Sequence, residues 1–192
     1  MTNDDIVHRN FAEHLQTIES VRVVLAEPIK KIGQLLAKAL ADDCTLFWCG
    51  NGGSAADSQH LAAELVGRFK KNRRALRSVA LTTDTSVLTC VANDYSYDDI
   101  FARQVEALGR KGDVLIGIST SGNSANVLRA FKAAKELGLT TVALLGKGGG
   151  PAKDLADHAI VVPSDTTARI QETHIFIGHI LCELIERELG LA

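Results

Sequence analysis

The chain has 192 residues, of which 46% are hydrophobic and 23% charged, an ordinary globular composition that excludes wholesale disorder. Its 21 Lys and Arg against 23 Asp and Glu leave a net charge of −2, so nothing global draws it to nucleic acid or to an anionic membrane. No apolar run approaches the ~18 residues of a spanning helix. The start, Met1-Thr2-Asn3-Asp4-Asp5, is unlike a secretory signal, and Cys44, Cys49, Cys90 and Cys182 form no CxxC pair. A soluble, cytoplasmic protein with reduced thiols is expected, built as a single domain over residues 1–192.

In chain order, residues 1–41 read as two amino-terminal helices. Phe11, Leu15, Ile18, Arg22 and Leu25 follow helical spacing, and Pro28 is expected to restart the chain for Ile29, Ile32, Leu35, Leu36 and Leu40. From residue 44 to 190 short apolar runs alternate with helical stretches. Strands are expected at 45–49, 78–81, 114–118, 141–145 and 159–162, and helices at 55–69, 86–91, 100–108, 125–137 and 168–189. The runs are rich in Val, Ile and Leu without alternation, as in strands buried on both faces. The expected fold class is therefore α/β: a doubly wound, five-stranded parallel sheet, with the flavodoxin-like order 2-1-3-4-5 taken by analogy. Lys147-Gly148-Gly149-Gly150-Pro151 reads as a flexible loop. The last helix is apolar around most of its circumference (Ile175, Phe176, Ile177, Ile180, Leu181, Cys182, Leu184, Ile185), which suits either a neighbouring subunit or a central place in one chain.

Ligands of open α/β sheets bind beyond the carboxyl ends of the strands. After the first strand comes Gly50-Asn51-Gly52-Gly53-Ser54, and after the third Ser119-Thr120-Ser121-Gly122-Asn123-Ser124, each entering a helix. Small residues let a backbone approach a ligand, hydroxyls donate hydrogen bonds, and a helix N-terminus favours an anion. Neither is a nucleotide loop: no Gly-Lys-Ser/Thr follows the second, and the first has Ala55 where a dinucleotide fingerprint needs glycine. Ordinary caps and turns would use the same residue types, but four hydroxyls in six positions favour phosphate. His60 and Glu64 share a helix face at i,i+4, a spacing that serves two metal ligands, an acid/base pair or a plain surface contact. Gln171, His174 and His179 interrupt the apolar last helix. Asn93-Asp94 could meet sugar hydroxyls or form a turn, Arg68 could meet an anion, and Lys70-Lys71-Asn72-Arg73-Arg74 with Arg77 reads as a solvated loop.

Together CGNGGSAADSQHLAAELVGRF (49–69), ANDYSYDDIFARQVEALGRKGDVLIGISTSGNSANV (92–127) and RIQETHIFIGHILCELIE (169–186) resemble the sugar isomerase (SIS) domain family, over about residues 44–190. Within it they are most similar to the enzymes that convert sedoheptulose 7-phosphate to D-glycero-D-manno-heptose 7-phosphate for lipopolysaccharide and related glycoconjugates. The resemblance implies a homotetramer with active sites between subunits and no nucleic-acid or membrane partner. It puts one zinc ion per subunit on His60, Glu64, Gln171 and His179, and catalysis on Glu64 and His179. It puts substrate contacts on Asn51, Gly52, Gly53, Ser54, Glu64, Asn93, Asp94, Ser119, Thr120, Ser121, Ser124 and Gln171. Ala168 departs from an acidic residue found in some relatives and receives no role. The alternative is the family's non-enzymatic protein that binds the bacterial replication initiator, which lacks equivalents of Glu64 and His179. Gln171 and His179 lie ~12 Å apart along one helix, too far for one ion with ~2 Å bonds, so one of them is expected from a neighbouring subunit.

Overall fold

The computed structural model describes residues 2–191; Met1 and Ala192, the outermost positions of the expected unit, lie outside them. Five parallel strands form one sheet in the order β2-β1-β3-β4-β5. They are β1 (Leu46–Gly50), β2 (Ser78–Ala80), β3 (Val114–Ser119), β4 (Thr140–Leu145) and β5 (His158–Val161). Each lies within a residue or so of its expected span, because an uninterrupted Val/Ile/Leu run bounded by polar turns has few other places to be buried. The central register pairs Leu46 with Ser78 on one side and with Val114 on the other.

Alternate residues of each buried strand feed two cores. Leu46 and Trp48 of β1 join Val114, Ile116, Val142 and Leu144 beneath α1 (Asn3–Ala41), α2 (Gly53–Val66) and α7 (Thr167–Glu188). Phe47 and Cys49 join Leu115, Ala143 and Leu145 beneath α3 (Thr85–Asp94), α4 (Ala102–Leu108), α5 (Ala125–Glu136) and α6 (Gly150–Leu155). The one polar edge of Trp48 is satisfied, its indole Nε1–H donating to Ser78 Oγ at 2.9 Å.

Three expectations need correction. The amino-terminal segment is one 39-residue helix with Pro28 inside it. The buried stripe Val21, Ile29, Ile32, Leu36 and Leu40 keeps helical phase across Pro28 and packs along α7. The carbonyl that Pro28 leaves without a donor belongs to Val24, which is 57% exposed and so open to water. Phe11 and Leu15, by contrast, are each 66% exposed and stay outside both cores. Second, the glycine-rich stretch is not merely a loop, because Gly150 and Pro151 open α6; the fixed φ of proline suits a first helical turn. Third, α2 stops at Val66, three residues short of its expected end, and the cause lies in the site.

Candidate active site

The loop after β1 turns into α2 through Gly52 at φ +58°, and Ser54 is buried in the first turn, its N–H donating to the Asn51 carbonyl. The Gln171 amide of α7 covers this turn so closely that a Cβ on Gly53 would stand 2.6 Å from Nε2. After β3, Ser119 Oγ accepts from the Gly122 N–H at 3.1 Å and shares a hydrogen bond with Ser124 Oγ at 3.1 Å. Ser124 opens α5, and Thr120 and Ser121 sit half-buried beside it. Gly122 is indispensable here: it has φ +66°, and a Cβ would lie 1.8 Å from the Gly149 carbonyl oxygen. The loop after β4 thus packs directly on the serine loop. No cation is among these residues, so an anion here would be held by hydroxyls, backbone N–H groups and the end of α5.

Asn126 was not singled out in the sequence, yet it joins the two loops. It is 2% exposed and exchanges hydrogen bonds with Asn51 in both directions, at 2.8 and 2.9 Å. Tyr97 donates to the same Asn51 oxygen at 3.0 Å. The signal in the sequence was a polar residue on the apolar face formed by Val127, Ala130 and Phe131.

Farther along α2, His60 Nε2 lies 3.1 Å from Glu64 Oε1 and 3.2 Å from His179 Nε2. One ligand atom from each of the three lies within 4.8 Å of the others. Gly178 allows this meeting of α2 and α7, since a Cβ there would stand 2.5 Å from the Leu61 side chain. Both contacts fall on the one His60 nitrogen, which can donate a single proton and cannot satisfy both at once in the neutral state, so the three groups could share a cation. Four ligands on a tetrahedral zinc with bonds of about 2.0–2.1 Å stand about 3.3 Å apart, close to the spacings here. His60, Ala63, Glu64, Gly67 and Arg68 line an open cleft of about 410 Å³, which places Arg68 beside the triad. A cleft of about 490 Å³ between the amino-terminal turns of α1 and α7 is lined by Ile6, Val7, Asn10, Phe11, His14, Arg169 and Glu172; there His14 and Arg169 both pair with the Glu172 carboxylate, at 2.8 and 2.6 Å.

The basic run is not simply solvated. Arg73 and Glu186 form an ion pair at 2.9 Å with both side chains 1% exposed. The guanidinium of Arg73 also donates to the carbonyls of Glu64, Leu65 and Gly67, which ends α2. Glu186 accepts in addition from the backbone N–H groups of Phe69 and Lys70. Burial works against its charge, but those two N–H groups and Arg73 outweigh it and hold the carboxyl below its ordinary value. Phe69, fixed in this way, stacks on the His179 ring at 5.5 Å and 19°. The clamp therefore grips the backbone at Glu64 and the ring that supports His179.

Other expected residues fall outside this group. Gln171 rests against Gly53 in the same chain and is not one of the three converging groups, as the helix rise requires. Asn93 and Asp94 sit exposed at the carboxyl end of α3, bonded to each other and to Cys90. His174 is a core residue: it is fully buried and bonded through Nε2 to the Leu145 carbonyl oxygen at 3.0 Å. Burial pushes the Cys49 and Cys182 thiols up to about 12, so neither is a nucleophile at neutral pH.

The SIS domain model matches residues 10–146. Phosphoheptose isomerase of Helicobacter pylori strain P12 is 53% identical over 187 residues, covering 97% of either chain. That of Nitratiruptor sp. is 57% identical over 180 residues, covering 94% of this chain and 96% of its own. Among solved structures, phosphoheptose isomerase from Neisseria gonorrhoeae superposes with a TM-score of 0.93 at 46% identity, over 97% of this chain and all of its own.

Proposed function

The chain belongs to the SIS domain family, and from that membership together with the site we infer that it isomerises sedoheptulose 7-phosphate to D-glycero-D-manno-heptose 7-phosphate for heptose and lipopolysaccharide biosynthesis. It is a phosphosugar isomerase. The observation that carries the reading is the convergence of His60, Glu64 and His179 in a chain that also carries a cation-free serine loop at the end of β3. The initiator-binding alternative leaves that convergence without work to do.

Aldose–ketose isomerisation moves a proton between adjacent carbons and rearranges the protons on their oxygens. Glu64 takes the proton from the carbon made acidic by the neighbouring carbonyl. His179 moves protons at the two oxygens and is kept from rotating by Phe69. Ser119, Thr120, Ser121 and Ser124 hold the phosphate, with Ser54 at the neighbouring helix start, so remote binding energy places the reacting carbons. Asn51, Gly52, Gly53 and Gln171 line the path between these ends, and Asn93 and Asp94 contact the sugar only after a rearrangement or across a subunit boundary.

The donor set fits zinc, one per subunit, held by His60, Glu64 and His179, with Gln171 of the partner subunit as the fourth ligand. An ion there would occupy the His179 nitrogen and the Glu64 oxygen that face His60, so holding the metal and moving protons are partly exclusive roles of these two residues. When bound, such an ion polarises the substrate carbonyl as a Lewis acid. Since Glu64 and His179 meet within one chain, Gln171 is the ligand left for a neighbour to supply. A homotetramer with active sites between subunits accounts for the exposed Ile6, Val7, Phe11 and Leu15 on α1. The described residues make one domain, and its four free cysteines suit the cytoplasm.

The test is product NMR of sedoheptulose 7-phosphate turnover, with chelator and then with added zinc. Turnover lost with chelator and restored by zinc supports the whole reading. Turnover indifferent to chelator keeps the isomerase and removes the metal role. No turnover in any condition sinks the reading.

A further inference from the structure

We propose that Asn126 is a positioning residue that locks the Asn51 side chain with an N–H donor, and not its carbonyl, turned towards the substrate. The proposal deepens the isomerase reading and rests on it for the identity of the ligand. Its starting point is a group with only one possible polarity. The backbone N–H of Val127 donates to Asn126 Oδ1 at 2.9 Å, and an N–H cannot accept, so this end of the Asn126 amide is the oxygen. The other end is then the NH₂, which donates to Asn51 Oδ1 at 2.8 Å. Asn51 Nδ2 donates back to Asn126 Oδ1 at 2.9 Å, closing a reciprocal pair.

Tyr97 completes the assignment. Its hydroxyl donates to Asn51 Oδ1 at 3.0 Å, so that oxygen already receives two hydrogen bonds. Both acceptor positions of the Asn51 amide are filled, one of its two N–H bonds is used, and the other N–H is left for a ligand oxygen. Turning Asn51 over would set NH₂ against NH₂ and oxygen against oxygen, next to an Asn126 that is 2% exposed and so largely shut off from solvent. Asn51 begins the first ligand loop, directly after β1, and Asn126 lies in the first turn of α5, directly after the serine loop. The same pair therefore fixes the spacing between the sugar end and the phosphate end of the site.

Asn126→Asp is the sharpest variant. Its carboxylate still accepts from Val127 and from Asn51 but cannot donate, so the Asn51 oxygen faces another oxygen and the lock fails. Asn126→Asp and Asn126→Ala are expected to raise KM for sedoheptulose 7-phosphate about tenfold with little change in kcat, the pattern of a lost ground-state contact. Tyr97→Phe, which removes only one of two bonds to the oxygen, should change KM by about threefold or less. A lowered melting temperature with unchanged KM would reduce Asn126 to a cross-link and overturn the proposal. A readout independent of turnover is the Asn51 side-chain amide of ¹⁵N-labelled wild-type protein. One of its two protons should exchange slowly and the other fast, and equal exchange would overturn the lock even if wild-type protein turned over no heptose phosphate. Absent wild-type turnover with unequal exchange would instead fault the isomerase reading and leave the lock standing.

Discussion

At the carboxyl ends of β1 and β3 the protein offers a ligand hydroxyls, amides and backbone N–H groups, whereas farther along α2 and α7 it offers two imidazoles and a carboxylate. The supports differ in the same way. Neutral amides and a close glycine contact hold the first region: Asn51 on Asn126, and Gly122 against the loop after β4. A buried ion pair holds the second, with Arg73 on the Glu64 carbonyl and Glu186 on the Phe69 N–H. On the proposed reading the difference follows from the work assigned to each region. Anchoring a phosphate calls for fixed dipoles, while moving protons calls for groups able to accept and donate them. Charged groups placed close together repel or pair off unless their backbones are restrained, and the Arg73–Glu186 clamp supplies that restraint.

The widest gap between the two regions should show in Glu64→Gln. The amide keeps the shape and the contact with His60 but cannot accept a carbon-bound proton, so turnover should fall by about 10³-fold or more. Sugar phosphate binding at the serine loop should persist, measured by calorimetry on the same sample. Turnover within tenfold of wild type would remove Glu64 as the base. Next in size is Glu186→Gln, which leaves the Arg73 cation buried without its partner and sets an amide NH₂ among N–H donors. Losing one member of a buried pair costs about 3 kcal/mol or more, read as a shift in the denaturant midpoint at fixed protein concentration. Because Phe69 is released with it, the proposed zinc site should also lose affinity, measured by competition with a chromogenic chelator. A variant that loses stability and keeps its affinity would show that the clamp serves the fold alone.

What could be read from the sequence were features whose cause is local. Strands at Val114–Ser119 and Thr140–Leu145 follow from apolar runs too short for helices, and His60 with Glu64 follows from helical spacing alone. The hydroxyls of the serine loop declare themselves by density. What could not be read depends on partners far away in the chain. Arg73 looks like any residue of a basic loop until Glu186 comes in from 113 positions away. Asn126 looks like a polar residue on a helix until Asn51, 75 positions before it, faces it across the sheet end. Pro28 misleads for a related reason. Its local rule is sound, but the packing of Ile29, Ile32 and Leu36 along α7 outweighs one missing hydrogen bond at a solvated carbonyl. The convergence of His179 with His60 and Glu64 rests on Gly178, whose missing side chain matters only once Leu61 is known to lie against it.

The smallest effect concerns His174, which stands on α7 between the two regions and ties that helix to the carboxyl end of β4. Its Nε2 donates to the Leu145 carbonyl oxygen, and its Nδ1 is buried with no hydrogen-bond partner among the described residues. A proton on Nδ1 would add a buried donor with nothing to receive it. Burial accordingly pushes the imidazole down to about 4 from its ordinary 6.5, the hydrogen bond to Leu145 opposing only in part. Below pH 6.5 the unfolded chain binds a proton at this position that the folded chain refuses until about pH 4. Stability from His174 is thus fully present above the unfolded value and falls as the pH drops from about 6.5 towards 4, by about 2 kcal/mol at pH 5. His174→Gln keeps a donor for the Leu145 oxygen and removes the titration. It should be less stable than wild type at pH 7, where the ring's packing is lost, yet it should lose about 2 kcal/mol less between pH 7 and pH 5 in urea titrations at matched concentration. Parallel curves for the two proteins would mean that the folded chain takes up the proton as readily as the unfolded one, and that α7 moves enough to give Nδ1 a partner.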